Sequence, residues 1–378
     1  FRLRHSDLGS SAETQFQEAS RLADALRLNF DERAVFETER ASYLLEARRH
    51  DEALNALNTV MNQPDFDKDL SLERRATLHG IRAEILRTLG DFDQSLVHVE
   101  RALKLHEEST LNVVDKADTY RLAAGIYSDL GQLDRSEELE RTGLGESLKR
   151  HGPDDRRTLV SRNNLALLLK NRGRFSDSEE MLSEVLASQQ RTLGAEHPDA
   201  GATLFNLAEA QLHQKKYSQA LGAYLRAVKN VETHFPNSPR VAVNRVIYPR
   251  ALGRAGRIDE ARETFASGLE LAPAGNPPHP LTGRLRVEYA GFLNEQSQFP
   301  EALAELGPVV PVLRETYGPA SREYALAQYQ RGISLQDAPE GREALSLALR
   351  ILSDSPFRER YRAEIDHCST LLNRSPGQ

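Results

Sequence analysis

Two short arrangements of residues in this 378-residue chain could belong to catalytic motifs. His106 and Glu107 begin the HExxH pattern of zinc hydrolases, but Thr110 stands where the second histidine would be needed. Gly253 and Gly256 are spaced like parts of a phosphate-binding loop, yet they fall at the end of one predicted helix and in the turn that follows it. Because neither arrangement is complete, neither predicts catalysis.

Histidine occurs in three further places that could support catalysis or metal binding. Adjacent helical residues such as His367 and Cys368 point about 100° apart, which disfavours a nucleophile pair and favours a partly buried thiol. His98 and His106 lie eight residues apart on one predicted helix, where a surface or capping role is favoured over a metal. The segment 197–199 reads His-Pro-Asp and opens a predicted helix, where proline suits the first turn and His or Asp caps it. We therefore predict no enzymatic activity, no cofactor and no metal site.

Composition narrows the classes of protein further. Hydrophobic residues make up 39% of the chain and the mean hydropathy is -0.55. No run approaches the roughly 18 apolar residues that a membrane-spanning helix requires, so we predict no membrane insertion of this chain. The net charge of -7 disfavours a nucleic-acid partner, because affinity for phosphates requires a basic face.

The single cysteine leaves the cellular compartment open. Cys368 excludes an internal disulfide and a cysteine-rich zinc site, and chains without disulfides occur in both the cytoplasm and the periplasm. Lysine supplies only eight of the 49 basic residues, and this excess of arginine favours a bacterial source with a GC-rich genome. We expect the bacterial cytoplasm, or the periplasm if the chain follows a transmembrane kinase.

A six-residue sequence motif that ends in a small residue recurs along the whole chain. It reads Gly-Asp-Phe-Asp-Gln-Ser at 90–95 and Gly-Arg-Phe-Ser-Asp-Ser at 173–178. The closing small residues are Ala53, Ser95, Ser136, Ser178, Ala220, Ala261, Ala302 and Ala344. Consecutive members of this set are 41 or 42 residues apart, and a fixed interval of this size indicates a solenoid of stacked repeats.

Each repeat carries the periodicity of two helices. Leu204, Leu207 and Ala208 fall at helical spacing before the turn, and Ala220 and Tyr224 do so after it. An alanine stands twelve positions before six of the closing small residues, which allows the two helices to pack closely, and Pro249 holds that place before Ala261. The acid or serine after the aromatic residue of the motif is expected to cap the second helix. The pattern predicts an all-α fold, a right-handed superhelical α-solenoid of antiparallel helix pairs.

These repeats resemble those of tetratricopeptide repeat proteins, in the longer form of about 42 residues that kinesin light chains and many bacterial regulatory proteins contain. The resemblance is strongest at 193–208, which reads Leu-Gly-Ala-Glu-His-Pro-Asp followed by Thr-Leu-Phe-Asn-Leu-Ala, and at 163–166, which reads Asn-Asn-Leu-Ala. It implies a partial leading repeat at 1–30, formed mainly by a second helix, and eight repeats at 31–354. A capping helix and tail are expected at 355–378. The chain is then expected to be a fragment that begins inside a repeat.

The resemblance also implies where a ligand binds. Peptides bind this family in the concave groove, through fixed positions on the first helix of each repeat. Mapped onto this sequence, the positions chosen as the groove are Arg121, Asn163, Asn164, Lys170, Asn206, His213, Arg250 and Arg254. Asn164 and Asn206 are equivalent and 42 residues apart, and their amides could hold a peptide backbone. The alternative, that these asparagines bridge adjacent helices, is equally open.

Charge is distributed unevenly over the repeats. The segment from Arg141 to Arg174 contains nine basic and three acidic residues, and the segment from Arg240 to Arg262 contains six basic and two acidic residues. This asymmetry favours an anionic partner such as an acidic peptide, although a solvated arginine face explains it as well.

The predicted function is a non-catalytic scaffold that binds a protein or peptide segment, with an oligomeric state that the sequence leaves open. The family resemblance suggests the regulatory region of a larger bacterial signalling protein, such as a serine/threonine kinase. Two alternatives remain: the ligand- or peptide-sensing domain of a transcription regulator or signalling ATPase, and a cargo adaptor similar to a kinesin light chain.

Overall fold

The computed structural model describes residues 17–374, apart from 20, 24, 26–27, 48, 110–115, 195, 236–247, 271, 273–278 and 356–357. The described residues form helices joined by short turns and contain no β-strand, so the all-α prediction is confirmed. The chain divides into two units, Phe1–Arg150 (unit 1) and His151–Gln378 (unit 2). The predicted boundaries of the leading repeat, of the eight-repeat region and of the C-terminal cap remain predictions.

The first seven helices cover three helix pairs and one short connecting helix. Their bounds are α1 Phe30–Glu46, α2 His50–Met61, α3 Phe66–Asp69, α4 Leu72–Leu89, α5 Phe92–Glu108, α6 Lys116–Asp129 and α7 Leu133–His151. We call the first and second helix of each repeat helix A and helix B. The helices A here are α1, α4 and α6, and the helices B are α2, α5 and α7.

The pairs continue through unit 2. The bounds are α8 Arg156–Asn171, α9 Phe175–Leu193, α10 Pro198–His213, α11 Tyr217–His234, α12 Ile258–Glu270, α13 Pro280–Glu295, α14 Phe299–Leu306, α15 Val309–Tyr317, α16 Arg322–Leu335, α17 Pro339–Asp354 and α18 Arg362–Leu372. Residues 248–254 are also helical and supply helix A of the sixth repeat. A 3-10 turn, Arg358–Tyr361, precedes α18.

Small residues twelve positions apart bring helix A and helix B together, as predicted. The hydroxyl of Ser95 donates to the carbonyl oxygen of Ala83 at 2.6 Å, and that of Ser136 donates to the carbonyl of Ala124 at 2.8 Å. Ser95 and Ser136 are buried, so these bonds satisfy hydroxyl groups that would otherwise lie unpaired in the core. Where alanine replaces serine, as at Ala220, the same close approach needs no hydrogen bond.

The turn between helix A and helix B uses a left-handed backbone conformation. Gly90 has a φ of 82°. The backbone N–H of Asp91, the next residue, donates to the carbonyl oxygen of Leu86 at 3.0 Å and closes the turn. Lys215 and Ser297 stand at the equivalent position of the fifth and seventh repeats with φ of 60° and 57°. Because a Cβ makes this conformation unfavourable, these two turns are strained relative to the glycine turns.

The capping predictions have different outcomes. His197 is the N-cap of α10, with its side chain accepting from the backbone N–H of Asp199 and proline in the first turn, as predicted. The prediction that the acid or serine after the aromatic caps helix B is wrong. In the second repeat Asp91 caps α5 by accepting from Gln94 N, whereas Asp93 lies inside the first turn. The aromatic residue therefore begins helix B instead of preceding it.

Pro308 interrupts the regular pattern of helix pairs. Pro308 separates α14 from α15, because proline cannot donate the helical hydrogen bond and its ring clashes with the preceding turn. The sequence predicts a kink at Pro249, inside a helix expected from Val241 to Leu252, because a proline in a helix interior removes one hydrogen bond. Residues 241–247 lie outside the described part of the chain, so this kink stays a prediction. Pro249 itself is buried within the helical stretch 248–254.

The core of unit 2 runs without interruption through several repeats. One cluster of buried apolar residues extends from Ala166 to Ala327, and Tyr224, Phe265 and Phe292 are its largest fully buried members. Since each helix pair buries its apolar surface against the next pair, a single repeat cannot retain this core alone. The cluster holds the helices A of unit 2 side by side.

Candidate functional site

Side-chain hydrogen bonds and ion pairs link helix A of the fourth repeat to that of the fifth, and helix A of the sixth repeat to that of the seventh. We call this set the A-helix face: Asn163, Asn164, Lys170, Asn206, Glu209, His213, Arg250, Arg254 and Glu288. It contains every predicted groove residue except Arg121, together with two glutamates. The links within it determine which groups remain available to a ligand.

The asparagines of α8 and α10 lie together. Asn206 Nδ2 donates to Asn163 Oδ1 at 3.2 Å, so the amides bridge two helices A. Asn164 and Asn206 are equivalent in sequence, but the bridge joins Asn206 to the neighbouring Asn163. All three side chains are partly exposed. Asn164 has no hydrogen-bonding partner for its side chain within the described residues.

Two of the predicted basic residues are paired with carboxylates of the next helix A. Lys170 forms an ion pair with Glu209, and only 14% of the Lys170 side chain is exposed. Arg250 pairs with Glu288 at 2.9 Å, where both side chains remain accessible. An anionic ligand would have to displace these glutamates, so Lys170 and Arg250 contribute less positive charge than the sequence suggested.

His213 and Arg254 lie beside the Lys170–Glu209 pair. The imidazole of His213 stacks on Phe175 with ring centroids 4.5 Å apart and parallel planes. Partial burial and the charge of Arg254 lower the pKa of His213, and the nearby Glu209 opposes them. His213 is therefore mainly neutral at pH 7 and offers a flat ring. Arg254 is exposed and has no carboxylate partner in the described part of unit 2, which leaves it as an available cation.

Arg121 belongs to unit 1. It pairs with Asp118 of the same helix at 3.1 Å. It also lies close enough to the buried Glu140 to oppose the rise in its pKa, which burial brings to about 7. In the structure, Arg121 is thus associated with a buried acid of its own repeat.

Glu209 and Glu288 belong to the A-helix face but were not among the predicted site residues. The basic residues with which they pair, Lys170 and Arg250, lie 39 and 38 positions earlier in the sequence, which is one repeat minus about one helical turn. A search for opposite charges at this interval would have found both pairs. The prediction compared residues at 42-residue spacing and so identified equivalent positions instead of contacting ones.

The other candidate catalytic and metal-binding residues have structural partners. His98 Nδ1 lies 2.8 Å from His79 Nδ1, and His106 Nε2 lies 3.0 Å from the hydroxyl of Thr119. Cys368 is fully buried, and this burial raises the pKa of its thiol to about 12, while His367 contacts the Tyr329 hydroxyl at 2.6 Å. Within the described residues, no three His, Cys, Asp or Glu side chains converge as metal ligands.

No helix in the described residues combines the length and apolar character required to cross a bilayer.

Comparison with known proteins agrees with the fold. Residues 151–233 match the tetratricopeptide repeat family, and no curated protein matches the chain. The apo form of the quorum sensor NprR from B. thuringiensis is 14% identical with a TM-score of 0.62, over 90% of this chain and 94% of NprR. A Rap protein complexed with competence and sporulation factor is 15% identical with a TM-score of 0.57, over 96% and 91%. A kinesin light chain with TPR-like repeats from Podosopora anserina is 22% identical with a TM-score of 0.48, over 55% and 99%.

The family match confirms the resemblance to tetratricopeptide repeat proteins that the sequence predicted. The family match lies within unit 2 and covers the repeats formed by α8 to α11. NprR and the Rap protein share the all-α repeat fold along most of the chain.

Proposed function

We propose that the A-helix face of unit 2 binds an extended segment of another polypeptide and that the protein is a non-catalytic scaffold. The Asn163–Asn206 pair carries this proposal. Their mutual bond uses Asn206 Nδ2 and Asn163 Oδ1, which leaves Asn163 Nδ2 as a donor and Asn206 Oδ1 as an acceptor. One donor and one acceptor side by side match the N–H and C=O of a peptide backbone.

The charges of the A-helix face restrict the side chains that the segment can carry. Since Lys170 and Arg250 are already paired with glutamates, a strongly acidic segment would gain little from them. Arg254 supports a single acidic side chain, which would lie beside the neutral ring of His213. We therefore propose a segment with one acidic residue near Arg254 and backbone contacts at the asparagine pair.

The comparisons support a sensing role more than a kinase-associated one. NprR is described as a quorum sensor, and the Rap protein was solved with a competence and sporulation factor. Because both share the fold of this chain, they support the proposal that a signalling peptide or factor occupies the array. Association with a kinase rests on the sequence resemblance alone and stays a prediction.

Selection from a random peptide display library against the full chain tests the proposal. Hydrogen exchange measured with and without a selected peptide should show protection in α8, α10 and 248–254. Protection confined to α9, α11 and α12 would place the peptide on the helices B and contradict the proposal. Failure to enrich any sequence over an unrelated helical protein would also count against it.

A further inference from the structure

A second candidate site lies near the C-terminal end of unit 2 and shares no lining residue with the A-helix face. It is an open cavity of about 560 Å³ between the end of α15, the start of α16 and the second half of α17. Its volume falls within the range of small-molecule binding sites. We call it the C-terminal cavity.

Three arginines from three different helices line the C-terminal cavity. Arg314 lies on α15, Arg322 on α16 and Arg350 on α17, and the single acidic lining residue is Asp354. Arg314 and Arg350 are exposed and have no ion-pair partner among the described residues. Arg322 donates to Glu323 at 2.8 Å and to the hydroxyl of Tyr361 at 3.2 Å. Because Arg322 is paired and Asp354 opposes only one of the other two arginines, the lining keeps a net positive charge.

An anion bound in the cavity would neutralise part of this positive charge. Guanidinium groups present parallel N–H donors that fit carboxylate and phosphate oxygens. Arginines contributed by three helices can approach one anion from different directions, which a single surface arginine cannot do. The positive charge therefore favours a ligand with a carboxylate or phosphate group.

The rest of the cavity wall is largely apolar. It includes Pro319, Leu347, Ile351 and Leu352, and the last two are buried members of the local core. Inorganic phosphate alone would leave the accessible part of this wall, at Pro319 and Leu347, in contact with water. A ligand that also carried an apolar body would cover them and gain about 25 cal/mol for each Å² of apolar surface removed from water.

We propose that the C-terminal cavity binds a small anionic molecule that carries a phosphate or carboxylate group on an apolar body. The anion contacts Arg314 and Arg350, while the apolar part lies against Leu347 and Ile351. This site is separate from the proposed peptide-binding face and does not depend on it.

Calorimetric titration of the full chain with phenyl phosphate tests this proposal. Phenyl phosphate should bind saturably, and at least tenfold more tightly than inorganic phosphate or phenol, because each of these lacks one half of the proposed ligand. A parallel titration with benzoate distinguishes a phosphate from a carboxylate preference. No saturable binding of either aromatic anion, or equal binding of phenol, would overturn the proposal.

Substitutions then locate the site. Arg314→Gln and Arg350→Gln should each weaken binding of the preferred anion about tenfold, because a charge-assisted hydrogen bond is lost. Arg226→Gln is a matched control, since Arg226 holds the position of Arg350 in the fifth repeat, is exposed and does not line this cavity. Circular dichroism should show that all three variants fold. Unchanged affinity in both cavity variants, or an equal loss in Arg226→Gln, would contradict the assignment.

Discussion

The amide nitrogen of Asn206 lies 3.2 Å from the amide oxygen of Asn163, although 43 residues separate them in the sequence. The bond joins helices A of two successive repeats and fixes both amides at the surface. A bridge of this kind and a peptide-binding site are compatible, because each amide keeps one polar group that the bridge does not use. The two interpretations of these asparagines therefore need not exclude each other.

Replacing the non-glycine residues of the two strained turns should stabilise unit 2. Lys215→Gly and Ser297→Gly should each raise the free energy of unfolding by about 0.5 to 1 kcal/mol, because glycine adopts positive φ without a steric penalty. Urea denaturation followed by circular dichroism measures the change. Lys216→Gly, one residue later, is the control and should not stabilise. A loss of stability in both turn variants would show that the turns are unstrained.

Glu140 should make the stability of unit 1 depend on pH. Burial raises its pKa to about 7 in the folded state, so the folded chain retains a proton that the unfolded chain releases above its ordinary pKa of 4.5. The free energy of unfolding should then fall as the pH rises from 4.5 to 7. Glu140→Gln should remove this slope and stabilise unit 1 by about 1 to 3 kcal/mol at pH 8.

The control for Glu140 is Glu138→Gln on the same helix, where the carboxylate is exposed and paired with Arg135. This substitution should leave the slope between pH 5 and 7 in place. Thermal unfolding at pH 5 and pH 8 compares the two variants. A Glu140→Gln protein with the same pH dependence as the parent would show that Glu140 is ionised in the folded state.

Two glycines should respond to alanine in opposite directions. A Cβ at Gly332 would lie 2.5 Å from Cγ of Leu345, so Gly332→Ala should cost about 1 to 3 kcal/mol through overpacking. A Cβ at the exposed Gly222 would meet no atom within 4 Å, so Gly222→Ala should stabilise α11 by about 0.5 to 1 kcal/mol. Melting temperatures measure both effects. A gain of stability in Gly332→Ala would contradict the packing described for Gly332, and a loss in Gly222→Ala would contradict the open space at Gly222.

The pKa of His213 should report on its charged neighbours. It should lie below 6.5, because the ring is partly buried and close to Arg254. Removing the positive charge with Arg254→Gln should raise this pKa, whereas Glu209→Gln should lower it. NMR titration of the imidazole protons measures all three values. If neither substitution moves the pKa, the cluster around His213 does not form in solution.

The sequence predicted the fold well, because the repeat interval and the turn residues are local signals. The small residues at Ala83 and Ser95 identified the contact between helix A and helix B, and the segment opening at His197 identified a helix start. The position of the helix B cap was missed, because Asp91 and Asp93 are both plausible caps and only the backbone conformation separates them. The break at Pro308 was also not predicted, although the residues on both sides of it are helical.

The candidate site was harder to predict, because the charges of its members depend on contacts between repeats. Lys170 and Arg250 are basic in the sequence, yet each faces a glutamate from the next helix A. Arg121 also holds one of the family's groove positions, but it lies in unit 1 with Asp118. The position of a residue within its repeat predicts whether it lies on the groove surface. Which acidic and basic side chains pair there depends on how neighbouring helices A are shifted relative to each other, and the repeat alignment does not give that shift.

The affinity of a selected peptide for two variants of the A-helix face tests the central claim most directly. Asn206→Ala should weaken binding by about 1 to 3 kcal/mol, because a backbone group of the peptide loses its partner. Arg254→Gln should weaken binding in a salt-dependent way, since Arg254 is exposed. Asn62→Ala and Arg226→Gln, exposed residues outside the face, should bind like the parent. Dissociation constants for Asn206→Ala and Arg254→Gln that both equal the parent value at low salt would contradict binding at this face.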